Sequence, residues 1–384
     1  MTLLAAAARA AAVPPFRAMA MARMASELES SGRRVLHLEV GQPATGAPAL
    51  AREAVTRLLA DAAPMGYTNA PGLPSLRRAI AAHYADWYRV DVDPASVLAV
   101  GGASAGFTLA FLAAFDAGDR VGVLEPGYPC YRNALLALGI EPVAIPVGPD
   151  TRWAPTPELL DAAGPLRGLV VASPSNPTGT VLSLEQQSSI AAWCAGHGVQ
   201  LITDEIYHGI TYTGPAATVL AVTRDAVVVN SFSKYFSMTG WRLGWMVVPD
   251  HLRDAVERLQ QNVYICAPHI SQVAGVAALA AGTELDAHVA RYARNRLLLV
   301  DGLVAAGIHR LAEADGAFYV YADIAHLAAS ASDLCARWLD ELGLATTPGL
   351  DFDLARGEQF VRFSYAGPTD DVAAACDALG GWWP

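Results

Sequence analysis

The chain has 384 residues, of which 53% are hydrophobic and 16% are charged, a composition that excludes a disordered chain. The formal net charge of −11 and the lack of a dense run of Lys or Arg argue against nucleic acid as a partner. No apolar run reaches the roughly 20 residues that a membrane helix needs, so no membrane association is predicted.

The cysteines and the N-terminal segment indicate the cellular compartment of the protein. The five cysteines are an odd number and include no CxxC pair, so neither a disulfide framework nor a metal site is predicted. Reduced thiols favour a cytoplasmic protein. The Ala-rich segment 3–13 has no basic residue ahead of it and is interrupted by Arg9, so we interpret it as a frayed or helical extension and not as a signal peptide.

Strands and helices alternate between residues 97 and 249. The predicted strands are 97–100, 120–124, 169–172, 199–203, 226–230 and 243–248. Of the three predicted helices between them, one ends at 115 and the others span 128–138 and 184–197. This alternation predicts an α/β fold, with a mostly parallel sheet sandwiched by helices.

The pattern changes after Pro249. Long helices are predicted from 251 to 306, followed by short β segments at 317–322 and 360–365, which together indicate a smaller α+β domain. The segment before about Gly41 is expected to join that domain. The predicted division is therefore an N-terminal segment 1–44 that packs with the small domain, a large domain 45–275 and a small C-terminal domain 276–384.

Several polar segments follow predicted strands directly. They are Gly101–Gly102, Asn176, Asp204 and the segment 231–234. Ligands of α/β sheets bind beyond the carboxyl ends of the strands, so we expect these groups to converge on one crevice.

The most informative stretch is 231–244, which reads SFSKYFSMTGWRLG. A Lys such as Lys234, delivered by a strand into a partly desolvated crevice, can act as a Schiff-base nucleophile. Ser231, Ser233 and Arg242 can jointly hold a phosphate dianion, with the guanidinium as the bidentate partner. The turn that contains Gly102, Ala103 and Ser104 leads into a helix, whose free N–H groups and dipole also favour an anion.

The stretch 231–244 resembles the lysine signature of the class I/II aminotransferases, pyridoxal-phosphate (PLP) enzymes of the aspartate aminotransferase fold (fold type I). The resemblance covers the chain from about Pro15 to Leu379, and the motifs occur in the family's order. It implies that Lys234 binds PLP as a Schiff base and is the general base. It also implies that Asp204 pairs with the pyridine nitrogen, and that Tyr207 and Asn176 donate to the ring oxygen. Glu205 is expected to face elsewhere.

The same resemblance assigns further contacts to the cofactor. It implies a phosphate cup that is built from the following residues: Gly102, Ala103, Ser104, Ser231, Ser233 and Arg242. Many relatives carry a polar side chain at the position of Ala103, so this cup is expected to depend more on backbone groups. Tyr128 stands where the family stacks an aromatic ring on the pyridine.

The substrate carboxylate has its own expected partners. Arg362 lies in an alternating strand pattern and resembles the arginine that clamps the α-carboxylate, where a bidentate contact orients the Cα–H bond. Gly41 is expected to bring a backbone amide to the same carboxylate, and Asn176 is also predicted to contact the substrate.

The resemblance also implies a homodimer with shared active sites. Tyr67 lies in the motif GYTNAPGL, and in relatives this Tyr reaches the cofactor phosphate of the partner subunit. Tyr264 is a looser match to a second residue of this kind.

These features predict a ping-pong aminotransferase that acts on an L-amino acid and a 2-oxo acid. A PLP-dependent C–S lyase, or another PLP reaction on the same fold, is the alternative; a non-catalytic PLP-binding regulatory module is less favoured because the pattern occupies almost the whole chain. No second cation for a dicarboxylate is identified, although Arg17 and His269 are candidates by location. Phe16, Tyr128, Tyr131 and Tyr264 favour a neutral or aromatic donor, with 2-oxoglutarate or pyruvate as acceptor.

Overall fold

The computed structural model describes residues 6–382. The helices are α1 Ala8–Ala11, α2 Arg17–Ser30, α3 Ala49–Ala60, α4 Pro74–Tyr88, α5 Ala103–Ala114, α6 Pro129–Leu138, α7 Pro157–Ala162, α8 Leu184–His197, α9 Asp250–Val263, α10 His269–Ala278, α11 Gly282–Ala305, α12 Ala331–Leu342 and α13 Thr369–Gly380. The strands are β1 Leu36–His37, β2 Val97–Val100, β3 Arg120–Glu125, β4 Glu141–Pro146, β5 Gly168–Ala172, β6 Gln200–Asp204, β7 Val227–Ser231, β8 Gly244–Val247, β9 Arg310–Leu311, β10 Tyr319–Asp323, β11 Leu344–Ala345, β12 Thr347–Pro348 and β13 Phe360–Ser364.

The centre of the molecule is a seven-stranded sheet in the order β2-β8-β7-β6-β5-β3-β4. Strands β3 to β7 pair in parallel, and β8 runs antiparallel to both of its neighbours. The predicted α/β fold with a mostly parallel sheet is therefore confirmed.

Helices cover both faces of this sheet. On one face Val227 and Val229 of β7 pack in a core with Phe107 of α5, and on the other Val228 packs in a core with Ile190 of α8. Because neighbouring strand residues point to opposite faces, a strand that is covered on both sides is apolar throughout, which explains the unbroken valine run of β7.

Strand β4 was not among the predicted strands. In the described part of the chain it pairs with β3 only, at the edge of the sheet, and it contains Pro142 and Pro146. An edge strand tolerates proline because one side of its backbone has no partner strand.

A second group of strands lies outside the central sheet. A four-stranded antiparallel sheet has the order β12-β13-β10-β9, and β1 pairs in parallel with β11. The predicted β segments at 317–322 and 360–365 correspond to β10 and β13, and the predicted helices after Pro249 correspond to α9, α10 and α11. The domain boundaries at 44/45 and 275/276 stay a prediction.

At the N-terminus, α1 occupies part of the predicted extension 3–13, whose residues 3–5 lie outside the described range. Within residues 6–382, no helix is both long enough and apolar enough to cross a membrane.

Candidate active site

A cleft of about 430 Å³ lies at the carboxyl ends of the central strands. Its walls come from the turn after β1, the N-terminus of α5, the turns after β5, β6 and β7, and strands β10 and β13. The predicted site residues that line it are Gly41, Ala103, Ser104, Tyr128, Asn176, Asp204, Tyr207, Ser233, Lys234, Arg242 and Arg362. This volume lies in the range of small-molecule sites.

Lys234 reaches into the cleft from the turn after β7. Its Nζ donates a hydrogen bond of 2.6 Å to the carbonyl oxygen of Gly41 and lies 5.9 Å from the ring centre of Tyr207. Desolvation lowers the pKa of Lys234 to about 8; the charge of Arg362 adds to this effect and Asp204 opposes it. The amine is therefore easier to deprotonate than an exposed lysine.

Asp204 lies at the end of β6 and its carboxylate is buried. One oxygen accepts a hydrogen bond from the hydroxyl of Tyr131, and the other accepts a 3.0 Å bond from the backbone N–H of Ile206. Desolvation raises the pKa of Asp204 to about 6, against the opposing effects of these donors and of Lys234. Above that pH the cleft holds a buried negative charge.

Arg362 is buried on β13 between two aromatic rings. Its guanidinium carbon lies 4.5 Å from the ring centre of Tyr319 and 4.7 Å from that of Phe352. Its Nη1 donates a 3.0 Å bond to Oδ1 of Asn176, and Nη2 donates to the carbonyl oxygen of Glu39. These contacts hold the guanidinium at a defined place in the cleft, where it can form hydrogen bonds to a carboxylate.

One end of the cleft is formed by the N-terminus of α5 and by Arg242. Gly102 caps the helix with a φ of 86°, a conformation that favours glycine. A Cβ added at Gly102 would overlap the guanidinium of Arg242, with 2.9 Å to its Cζ, so only glycine lets this arginine approach the helix end. A helix N-terminus beside an arginine suits a phosphate.

The two serines of this end differ in position. Ser233 lines the cleft, whereas Ser231 is not among the lining residues. The Ser231 hydroxyl contacts the Leu243 carbonyl oxygen at 3.0 Å and the Ser233 hydroxyl at 2.7 Å. Ser231 is thus placed to orient Ser233.

Apolar side chains form part of the wall of the cleft. The lining side chains on this wall are Phe16, Ala18, Met19 and Val40. The ring of Phe16 meets that of Tyr128 edge to face, with ring centres 6.2 Å apart. This wall can take an apolar substituent.

Besides Gly102 and Ser231, four further predicted residues are not part of this chain's cleft lining. Tyr67 is 84% exposed and Tyr264 is 39% exposed. Arg17 is exposed, and His269 contacts the carbonyl oxygen of Gly66. Within residues 6–382, the cationic side chains that line the cleft are Lys234, Arg242 and Arg362.

Two contacts were not predicted. The hydroxyl of Tyr319 lies 2.8 Å from that of Tyr207, and its ring covers Arg362. Tyr131 was expected to line the cleft, and it also binds Asp204. Tyr319 sits in the apolar run of β10 and gives no polar signal in the sequence, and the bond between Tyr131 and Asp204 joins residues that are distant in the chain.

The comparisons with known proteins agree with this geometry. The family model "Aminotransferase class I and II" matches residues 33–379. A valine–pyruvate aminotransferase of Mycobacterium tuberculosis is 50% identical over 97% of both chains. The crystal structure of an aminotransferase from Mycobacterium tuberculosis matches with a TM-score of 0.97 at 49% identity over 100% of both chains. The aspartate aminotransferase from Thermus thermophilus with maleate matches with a TM-score of 0.92 at 30% identity, over 98% of this chain and 99% of that one.

Proposed function

The chain belongs to the class I and II aminotransferase family, and we propose that it moves the amino group of a small apolar L-amino acid to pyruvate, with PLP as its cofactor. One observation carries the choice of donor: part of the cleft wall is apolar, and the cofactor and the α-carboxylate would take up the cationic residues that line the cleft within 6–382. The printed name of the Mycobacterium relative, valine–pyruvate aminotransferase, supports the same donor and acceptor.

The groups in the cleft fit PLP. The N-terminus of α5 and Arg242 would hold its phosphate, since the close approach at Gly102 leaves N–H groups and a guanidinium facing one place. Asp204 would pair with the pyridine nitrogen, because a buried carboxylate stabilises a cationic partner. Lys234 would attach the cofactor covalently, and Tyr128 would cover the ring.

Further contacts would come from the remaining lining residues. Tyr207 and Asn176 would donate to the ring oxygen, and Ala103, Ser104 and Ser233 would complete the phosphate cup.

When bound, PLP supplies a ring that withdraws electrons from the substrate Cα. Arg362 would bind the α-carboxylate with its guanidinium, and Gly41 would contact the same carboxylate through the backbone amide. Lys234 would then accept the Cα proton at Nζ. A pKa near 8 suits a base that works at neutral pH. Asp204 would keep its negative charge throughout.

Donor and acceptor would use the same cleft in turn. The 2-oxo acid product leaves before the acceptor enters, so steady-state rates measured at several fixed acceptor concentrations should give parallel double-reciprocal lines.

The decisive experiment is a panel of donors tested with pyruvate and with 2-oxoglutarate. We expect valine and similar apolar amino acids with pyruvate to give the highest kcat/KM. A higher kcat/KM for aspartate with 2-oxoglutarate would overturn the proposed donor. Lys234→Ala should lower kcat by roughly 10²- to 10⁴-fold, as expected for loss of a general base.

The alternative reaction is tested in the same assay. Release of pyruvate and ammonia from a cysteine conjugate, without any added 2-oxo acid, would favour the C–S lyase. The relatives are enzymes and the family match spans residues 33–379, so a regulatory module is not proposed. We also propose a homodimer in which Tyr67 serves the partner's cleft, because its exposed ring lies outside its own.

A further inference from the structure

Arg356 joins the loop 349–357, which lies between β12 and β13, to the edge of the central sheet. Its Nη2 donates a 2.8 Å hydrogen bond to the carbonyl oxygen of Glu125 and a 3.0 Å bond to that of Val147. Glu125 is the last residue of β3, and Val147 follows the last residue of β4. The arginine therefore links the loop to the carboxyl ends of two central strands.

The loop itself orients the guanidinium of Arg356. Its Nε donates a 2.7 Å bond to Oδ2 of Asp353, a residue that is buried. Oδ1 of Asp353 accepts hydrogen bonds from the backbone N–H groups of Ala355 at 3.0 Å and of Arg356 at 2.8 Å. Because a planar guanidinium is pre-organised, it loses little freedom for each hydrogen bond that it forms. The bonds to Glu125 and Val147 are therefore made from a fixed position.

Further hydrogen bonds join the same loop to the large sheet and to α6. The backbone N–H of Gly127 donates a 2.9 Å bond to the carbonyl oxygen of Phe352. Nη2 of Arg132 on α6 donates a 3.2 Å bond to the carbonyl oxygen of Asp351, while its Nη1 donates a 2.9 Å bond to the carboxylate of Glu125. Arg132 and Glu125 are buried. The loop is therefore attached to the end of β3 and to the first turns of α6.

The other side of the loop meets the proposed donor site. The ring of Phe352 is fully buried, and its centre lies 4.7 Å from the guanidinium carbon of Arg362. The carboxylate of Asp351 accepts hydrogen bonds from the first turn of α2, and Ala18 and Met19 of that helix line the cleft. One loop therefore contacts both the residue proposed to bind the α-carboxylate and the helix that supplies part of the apolar wall.

We propose that Arg356 is a positioning residue for the donor. By holding the loop 349–357 against the central sheet, it keeps Phe352 packed on Arg362 and keeps α2 beside the cleft. Arg356 is not among the residues that line the cleft in the described part of the chain, so it acts through the loop. This role rests on the proposed function of Arg362, because the donor carboxylate would bind there.

Arg356→Met is the variant that tests this link, and Arg120→Met is its control. Methionine keeps an unbranched apolar stem and removes the guanidinium donors. Arg120 lies at the opposite end of β3 and donates to the carbonyl oxygens of Pro165 at 2.6 Å and Ala163 at 3.1 Å. The side chains of Arg356 and Arg120 are each 36% exposed. A general loss of stability should therefore affect both variants alike.

Amide hydrogen exchange of the cofactor-free protein tests the link without any substrate. We expect amides of the loop and of the first turn of α2 to exchange faster in Arg356→Met than in Arg120→Met or the wild type. The amides to follow are those of Phe352, Asp353, Arg17 and Ala18. Exchange that is unchanged in the loop or in α2, or equally faster in the two variants, would overturn the coupling of Arg356 to the loop and to α2.

Binding of isovalerate to the PLP-loaded protein tests the positioning role. This acid has the carboxylate and the branched side chain of valine but no amino group, so it binds without reacting. Arg356→Met should raise its Kd by roughly three- to tenfold, the value of about one hydrogen bond, and Arg120→Met should leave it unchanged. The Kd for PLP should be unchanged in both variants, because the proposed phosphate contacts lie on α5 and in the segment between β7 and β8.

An unchanged isovalerate Kd in Arg356→Met, or an equal rise in the control, would contradict the positioning role. An equal loss of PLP affinity in Arg356→Met would also contradict it, since that loss would indicate general damage to the cleft. If the wild type binds neither isovalerate nor valine, the proposed role of Arg362 fails and the positioning role fails with it. The exchange results would still show whether the loop and α2 are coupled.

Discussion

Lys234 lies among charges of both signs, which makes its proton affinity a sensitive reporter of the site. Desolvation and the charges of Arg362 and Arg242 lower its pKa to about 8, while Asp204 acts in the opposite direction. The amine is therefore mostly charged at pH 7 and loses its charge as the pH rises through about 8. Only the uncharged amine attacks an aldehyde.

The rate of covalent PLP attachment to the cofactor-free protein should consequently rise with pH, with a midpoint near 8, and level off above it. Stopped-flow absorbance of the cofactor-free protein mixed with PLP measures this rate. Lys234→Ala is the control and should show no covalent phase after borohydride reduction. A midpoint near 10.5, the ordinary value for lysine, would show that burial does not control this amine.

Tyr319 is the residue whose contribution can be isolated most cleanly. Its hydroxyl bonds to that of Tyr207, while its ring lies over Arg362. Tyr319→Phe removes the hydroxyl and keeps the ring, so we expect kcat to fall by about three- to tenfold, the value of one hydrogen bond, with little change in KM for the donor.

Tyr321 offers a matched control two residues along the same strand. Its hydroxyl is buried and has no hydrogen-bond partner among residues 6–382. Tyr321→Phe should leave kcat unchanged and stability equal or higher, since it removes an unsatisfied group. Equal kcat losses in Tyr319→Phe and Tyr321→Phe would refute the specific role of the Tyr319 hydroxyl.

At the scale of single residues, the sequence predicts that some residues line the cleft and misses others. The convergence of Asn176, Asp204 and Lys234 follows from their positions directly after strands, and the structure brings all three into one cleft. Their roles stay predictions. Tyr319 could not be found in this way, because its direction depends on the pairing of β10 with β13, where it lies opposite Ser364. Pairing between distant segments leaves no local signal.

Among the elements, the strands that are covered on both faces were predicted within about two residues, because burial forces an unbroken apolar run. Strand β7, for example, was predicted at 226–230 and spans Val227–Ser231. Strands of two residues, such as β1 and β11, are too short to show any periodicity. The antiparallel direction of β8 depends on its neighbours and has no signature in its own residues.

Helix α2 depends on a cap that comes from far along the chain. Both carboxylate oxygens of Asp351 accept hydrogen bonds from the first turn of α2, at 2.9 Å from Arg17 N and 2.8 Å from Ala18 N. Because Ala18 and Met19 line the cleft, loss of this cap should affect both stability and binding. We expect Asp351→Ala to cost about 1 kcal/mol of stability and to raise KM for the donor.

A helix cap that does not line the cleft separates the effect on stability from the effect on donor binding. Ser183 caps α8 through the N–H of Gln186 at 3.1 Å and does not line the cleft. Ser183→Ala should lower the thermal unfolding midpoint to a similar extent and leave KM unchanged. An equal rise in KM for the donor in Asp351→Ala and Ser183→Ala would be explained by general destabilisation. The position of α2 would then have no specific effect on donor binding.

On the scale of the whole molecule, exposed apolar side chains lie near the motif of Tyr67, because Ile265 lines the same surface hollow as Thr68 and Asn69. Tyr67, Met65, Tyr264 and Ile265 are all exposed large hydrophobic residues in the single chain. Such exposure is typical of surfaces that another protein covers. If Tyr67 binds the cofactor phosphate of the partner subunit, Tyr67→Phe should raise the Kd for PLP by roughly tenfold, the loss expected for a hydrogen bond to a charged group.

Mixed dimers test which subunit Tyr67 serves. A dimer that pairs a Lys234→Ala chain with a Tyr67→Phe chain has one site that contains Lys234 and, if Tyr67 crosses the interface, an intact Tyr67 as well. That site should bind PLP covalently with wild-type affinity. If Tyr67 acts within its own chain, the only site with Lys234 lacks the hydroxyl, and the affinity should match that of the Tyr67→Phe homodimer. Differently tagged chains, purified as the mixed species, allow both affinities to be measured by the same absorbance titration.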